Sequence, residues 1–193
     1  MAALALAVLL SLRSAPSAME RTASAASGAT SVPPGAPVED VRYAHEWPAP
    51  NGDLYNTRVA HSTLSSTNVS KLGMAWTLPL RGTGPTGADV ANPVIAAGIA
   101  YLQDGASNVM AVRDATGQVL WTHRYNSPEY GPNGVTLANG RIYGVTAMGV
   151  FALDAKTGRQ VWYDTHLAAR TAHFDIAPQV ANGKVFVSSA LTV

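Results

Sequence analysis

The 193-residue sequence contains no cysteine. That excludes disulfides, thiolate metal sites and cysteine nucleophiles together, along with lipid attachment through a cysteine. Charge is scarce as well. Only 13% of residues are charged and the net charge is +1, so the balance gives no reason to expect nucleic acid or an anionic membrane surface as partner. No apolar run reaches the ~20 residues of a membrane-spanning helix, and no long helical heptad pattern appears. What is plentiful is turn chemistry. Seventeen Gly and 12 Pro among few charges suit a turn-rich β protein with a core of ordinary domain size.

The start of the chain has a different character. Residues 2–12 (AALALAVLLSL) form a short apolar run, though no Lys or Arg precedes it. Small residues follow, with Ala23-Ser24-Ala25 as an A-x-A cleavage site and Ala15–Ala18 as an alternative. Residues 1–25 therefore read as a secretory signal peptide, which places the mature chain outside the cell or in the periplasm. Residues 26–40, rich in Ser, Gly, Pro and Ala, read as a flexible lead-in, and the ordered part is expected from about residue 41.

The strongest signal is a repeat. Val150 to Trp162 (VFALDAKTGRQVW) reads as a β-hairpin: an alternating strand, a turn at Asp154–Gly158, and a returning strand from Gln160. Val109 to Trp121 (VMAVRDATGQVLW) repeats it without gaps, so that Ala111 matches Ala152, Thr116 matches Thr157, Gly117 matches Gly158 and Trp121 matches Trp162. Upstream of each lies a strand–Gly turn–strand unit centred on Gly98 and Gly140, and a third such unit surrounds Gly183. Those glycines are 42 and 43 residues apart. A period of roughly 40–45 residues with four strands per unit is the mark of a propeller blade. The expected architecture is an all-β, partial β-propeller of four-stranded antiparallel blades, in the region 41–193. Blades are expected at about 92–125 and 133–165, with an incomplete one at 175–193.

The Ala-x-x-x-x-Thr-Gly-x-x-x-Trp pattern at 111–121 and 152–162 resembles the tryptophan-docking motif of the quinoprotein (PQQ-dependent) alcohol dehydrogenases. The leader resembles the segment that opens those enzymes: Trp47-Pro48, Gly52-Asp53, Asn56-Thr57-Arg58, Asn68-Val69-Ser70-Lys71-Leu72 and Ala75-Trp76. The resemblance covers about residues 45–190. It implies that Trp76, Trp121 and Trp162 each lie against the Thr-Gly turn of the next blade, with Ala111, Gly117, Ala152 and Gly158 as the structural partners. It also implies pyrroloquinoline quinone (PQQ) and calcium as cofactors of a full-length parent, with none expected for this chain alone. Ser188 or Ser189 matches a family serine near the cofactor.

Several features depart from the family pattern. The adjacent cysteine pair is absent, and only Asp89 stands near the position of a glutamate that precedes the first blade. No glutamate follows Lys184–Val187, and the blade carrying the catalytic aspartate is not in the sequence. Family rings close with eight blades, whereas this sequence holds about two and a half. Three explanations stand side by side: a fragment of a longer chain, assembly with another subunit, or a truncated gene product. The parent is expected to be a quinone-dependent alcohol or sugar dehydrogenase. The alternative is a propeller scaffold that has lost its cofactor site, and no catalytic residue is assigned in this chain.

Other motifs carry less. Gly82-Thr83-Gly84-Pro85-Thr86-Gly87 fits G-x-G-x-x-G, but a dinucleotide site needs a helix immediately afterwards, and Asn92-Pro93 leads into another strand. His45, His61, His123, His166 and His173 show no metal-ligand spacing. No G-x-S-x-G occurs, so a hydrolase triad has no support.

Overall fold

The computed structural model describes residues 6–11 (backbone only), 33–60, 62–85, 87–88, 91–128, 131, 133–167 and 172–191. Two four-stranded antiparallel sheets dominate it. The first contains β3 (Val94–Ala96), β4 (Ile99–Gln103), β5 (Val109–Arg113) and β6 (Val119–His123), hydrogen-bonded in chain order. The second repeats it with β7 (Val135–Ala138), β8 (Arg141–Thr146), β9 (Gly149–Asp154) and β10 (Gln160–Asp164). In both sheets the third strand is almost wholly enclosed, and in the second the first strand is buried along its length as well. Val109, Ala111 and Val112 in β5, and Val150, Phe151, Ala152 and Leu153 in β9, are essentially inaccessible. The fourth strands expose Val119, Leu120 and Val161. An inner strand covered on both faces reads as a continuous apolar run, and an outer strand in half-contact with water does not. These sheets are successive blades of a partial β-propeller.

One apolar cluster joins the two blades. Val94, Tyr101, Val109 and Ala111 from the first pack with Val135, Leu137, Ile142, Phe151 and Leu153 from the second. Tyr125, on the connection between them, stacks on Phe151 with ring centroids 4.6 Å apart. Neither blade could bury this surface alone.

The third unit differs from the sequence expectation of two strands. Residues 172–191 form two short ladders: β12 (Gln179–Ala181) with β13 (Lys184–Phe186), and β11 (Ala172–Phe174) with β14 (Ser189–Leu191). The anchor is Phe174. Its ring packs with Val145 and Val150 of the second blade, and its N–H reaches Ala147 O. That holds β11 where β14 can pair with it.

The leader also departs from expectation. Residues 33–40 are held against the blades instead of forming a free lead-in. Helix α1 (Val38–Arg42) carries Glu39, which is only 8% exposed, and its carboxylate accepts hydrogen bonds from Asn139 N and Gly140 N. A solvent-facing composition concealed one buried acid. Trp47 then adds a rung to the inner edge of β3, exchanging N–H···O bonds with Ile95 at 3.1 and 2.7 Å. Residues 69–71 form a 3₁₀ turn before β2 (Gly73–Pro79). β2 pairs antiparallel with β1 (Leu6–Ser11), inside the stretch read as a signal peptide; its cleavage sites lie outside the described residues.

The glycine-rich segment at 82–87 closes on itself through a Gly84–Gly87 bridge. Gly82 N donates to Asp104 Oδ2 at 3.1 Å. No helix follows it among the described residues.

Candidate functional site

The two repeated hairpins make the same contact. In the first blade the turn after β5 is closed by Gly117 N–H to Arg113 O, and in the second by Gly158 N–H to Asp154 O, each at 2.8 Å. Gly117 and Gly158 sit at φ +73° and +70°. Indoles cover both. A Cβ built on Gly117 would lie 2.7 Å from the Trp76 ring, and one on Gly158 would lie 2.5 Å from the Trp121 ring. Each indole also donates to the carbonyl two residues before the Thr of its turn: Trp76 Nε1 to Asp114 O at 2.5 Å, and Trp121 Nε1 to Ala155 O at 3.1 Å. Ala111 and Ala152 pair directly across the strands with Trp121 and Trp162, which leaves room for each indole.

Trp162 has different surroundings. It packs with Val180, Val185 and Phe174 of the third unit and lies 6.1 Å from Tyr143. The described third unit contains no Thr-Gly turn for it to cover.

At one end of the inner strands the entry loops of all three units enclose a cavity of about 320 Å³. Pro50, Asn51 and Arg58 of the leader close it against Asn92 before β3, Asn133 and Gly134 before β7, and Ile176 and Ala177 before β12. Asn133 is 2% exposed, and neither its amide nitrogen nor its carbonyl oxygen has a hydrogen-bond partner. A buried carboxamide left unpaired costs about 1–3 kcal/mol, which a bound ligand or water would offset. Arg58 is held by a compact loop: Asp53 accepts from Tyr55 N, Thr57 N and Thr57 Oγ1, and Arg58 N donates to Asn51 O. Asn92 Nδ2 donates to Pro50 O at 3.4 Å, tying that loop to β3.

A second, open groove of about 800 Å³ runs between the leader and β3, lined by His45, Glu46, Trp47, Ile95 and Asp114 among others. None of its described lining residues carries a buried unpaired polar atom. The smaller cavity is the better candidate site for that reason.

Sequence reasoning passed over Asn133 and Arg58 as site residues, because an orphaned amide is a tertiary property. It also missed Asp104. That carboxylate, 3% exposed, gathers Gly82 N, Ala106 N, Asn108 N and Asn108 Nδ2 and so fixes the β4–β5 loop. Ser188 and Ser189 are exposed and do not line the cavity; Ser189 pairs with Phe174 instead. Asp89 and His61 lie outside the described residues. His123 places Nδ1 3.0 Å from Gly158 O and leans on Tyr125. No group of three or more His, Asp or Glu that could hold a metal ion occurs among the described residues.

No protein-family model matches the chain. Individual relatives do. It is 31% identical over 158 residues to the quinohemoprotein alcohol dehydrogenase of Comamonas testosteroni, which covers 74% of this chain and 22% of that protein. It is 32% identical over 144 residues to the dehydrogenase subunit of the quinone alcohol dehydrogenase of Gluconobacter oxydans, covering 65% of this chain and 18% of that one. The crystal structure of the Comamonas testosteroni enzyme superposes with a TM-score of 0.68 at 29% identity, over 76% of this chain and 23% of the other. The chain thus spans about a fifth of the length of the curated relatives it matches.

Proposed function

The chain belongs to the quinoprotein alcohol dehydrogenase-like β-propeller family, and we propose that it is the N-terminal part of an exported propeller whose whole is a quinone-dependent alcohol or sugar dehydrogenase. Its own contribution is structural. Two blades, fastened to each other by Trp121 on Gly158 and to the preceding strand β2 by Trp76 on Gly117, build one wall of a ligand cavity that further blades or another subunit complete. The observation that carries this reading is the paired geometry, in which two indoles 45 residues apart meet equivalent turns in the same way.

The cavity suits the family's two cofactors unequally. PQQ is a planar tricarboxylate. The guanidinium of Arg58 and the unpaired carboxamide of Asn133 suit one carboxylate-bearing edge of such a molecule. In this chain those two residues would hold that edge. When bound, the quinone supplies the two-electron acceptor for the alcohol. A calcium ion fits less well. It needs six to eight oxygen ligands, usually with carboxylates among them, and the cavity's described lining has no acidic residue. No catalytic step is assigned to this chain.

The reading is tested by making the 193-residue chain beside the product of the gene read beyond codon 193. Each is supplied with PQQ and calcium, and alcohol-dependent dye reduction is measured. The longer product is expected to turn over and the shorter to be inactive. Activity in the short chain, or an inactive complete ring, overturns the proposal.

The alternative is a propeller scaffold without a cofactor, favoured by the absence of acidic residues from the cavity's described lining. The shorter chain titrated with PQQ and calcium separates the two through its tryptophan fluorescence. Saturable micromolar quenching removes the scaffold reading.

A further inference from the structure

The three blade units each contain a two-strand hairpin whose turn holds two consecutive residues at positive φ. They are Ala97-Gly98 at +55° and +70°, Asn139-Gly140 at +51° and +72°, and Asn182-Gly183 at +50° and +70°. Two successive N–H groups of this kind point the same way and form a small concave cradle for an anion or a carbonyl oxygen. The leader touches all three cradles. Glu46 accepts from Ala97 N and Gly98 N, each at 3.2 Å. Glu39 accepts from Asn139 N and Gly140 N at 2.7 and 2.6 Å. Gly35 O accepts from Asn182 N at 2.9 Å.

The order is regular. Running backwards along the leader, from Glu46 to Glu39 to Gly35, the contacts pass from the first unit to the second to the third. The carbonyls of the first two turn glycines are held as well, Gly98 O by Asp114 N and Gly140 O by Ala155 N. Each of those turns is therefore held both at its two N–H groups and at its glycine carbonyl, and the donors Asp114 and Ala155 are the residues whose own carbonyls receive the Trp76 and Trp121 indoles.

We propose that residues 35–46 are a strap that fixes the relative placement of three successive blades, with Glu39 and Glu46 as its positioning residues. Each carboxylate recognises a backbone cradle, so it is specific for turn geometry and indifferent to the turn's side chains. That explains why Ala97 in one turn and Asn139 in the next serve equally. The strap works locally, one acid for one turn.

Amide hydrogen exchange on the full chain tests this with Glu39→Gln, Glu46→Gln and the double variant. Glu46→Gln is expected to speed exchange at Ala97 and Gly98 about tenfold or more while leaving Asn139 and Gly140 unchanged. Glu39→Gln should do the reverse. The double variant should loosen both turns and open residues 33–46 to proteolysis, while circular dichroism still reports folded sheets. Unchanged exchange in both single variants overturns the proposal. So does equal loosening of both turns by either one, which would mark a general loss of stability. Should the double variant fail to fold, the two single variants decide by the same criterion.

Discussion

Gly117, Gly158 and Gly140 separate two costs that a glycine can hide. All three sit near φ +70°, where an L side chain is strained by roughly 1–2 kcal/mol. Only the first two face an indole, at 2.7 and 2.5 Å from a built Cβ, whereas a Cβ on Gly140 would meet nothing within 4 Å. Gly140→Ala should therefore lower stability by about 1–2 kcal/mol. Gly117→Ala and Gly158→Ala should lose a further ~1–3 kcal/mol from overpacking, read from urea midpoints at constant slope. Trp121→Ala should cost ~3–5 kcal/mol, as removal of a large packed aromatic does. Equal losses at the three glycines would show that the indoles give no ground-state contact. These residues were legible in the sequence because the repeat aligns them within a thirteen-residue hairpin. Asn133 was not. Nothing local marks an amide whose partners are missing from three loops at once.

At the scale of elements, the strands and their turns followed from alternation and glycine spacing, since a hairpin is a local structure. The leader did not. Its Ser, Gly, Pro and Ala predict flexibility, and the acid that holds it reaches backbone amides 100 and 101 residues away. A backbone partner leaves no trace in side-chain identity. β14 was missed for a related reason, because its pairing with β11 depends on Phe174 being buried under the second blade. The leader also carries a titration. Burial, then the neighbouring Glu39 and Asp53 carboxylates, push Asp40 up to about 7. Its folded value lies above its unfolded one, so the fold favours the neutral acid. Full stability is present below about pH 4, declines as the pH rises toward 7, and stays reduced above it. Asp40→Asn should raise Tm at pH 8 and leave it unchanged near pH 3.5. Thermal melts at the two pH values check this; a gain that does not depend on pH would contradict it.

At the scale of the whole molecule, the described residues form two successive propeller blades and part of a third. Blade surfaces find cover only where a neighbour is present, as in the cluster that links Val94 and Val109 to Phe151 and Leu153. No helix among the described residues is long and apolar enough to cross a membrane. The fold class could be read from the period, because four strands per roughly 42 residues leave few alternatives. The third unit's limits could not, since they depend on which strands find partners. The most direct test of the account is the proton spectrum of the folded chain. Indoles seated on Gly117 and Gly158 should shift the α-protons of those two glycines upfield by their ring currents, while those of Gly140, in the same backbone conformation, remain at ordinary positions. Trp121→Leu should restore Gly158 alone. Ordinary shifts at Gly117 and Gly158 in the folded protein would contradict the claim that each blade is pinned to the next by an indole on a bare turn.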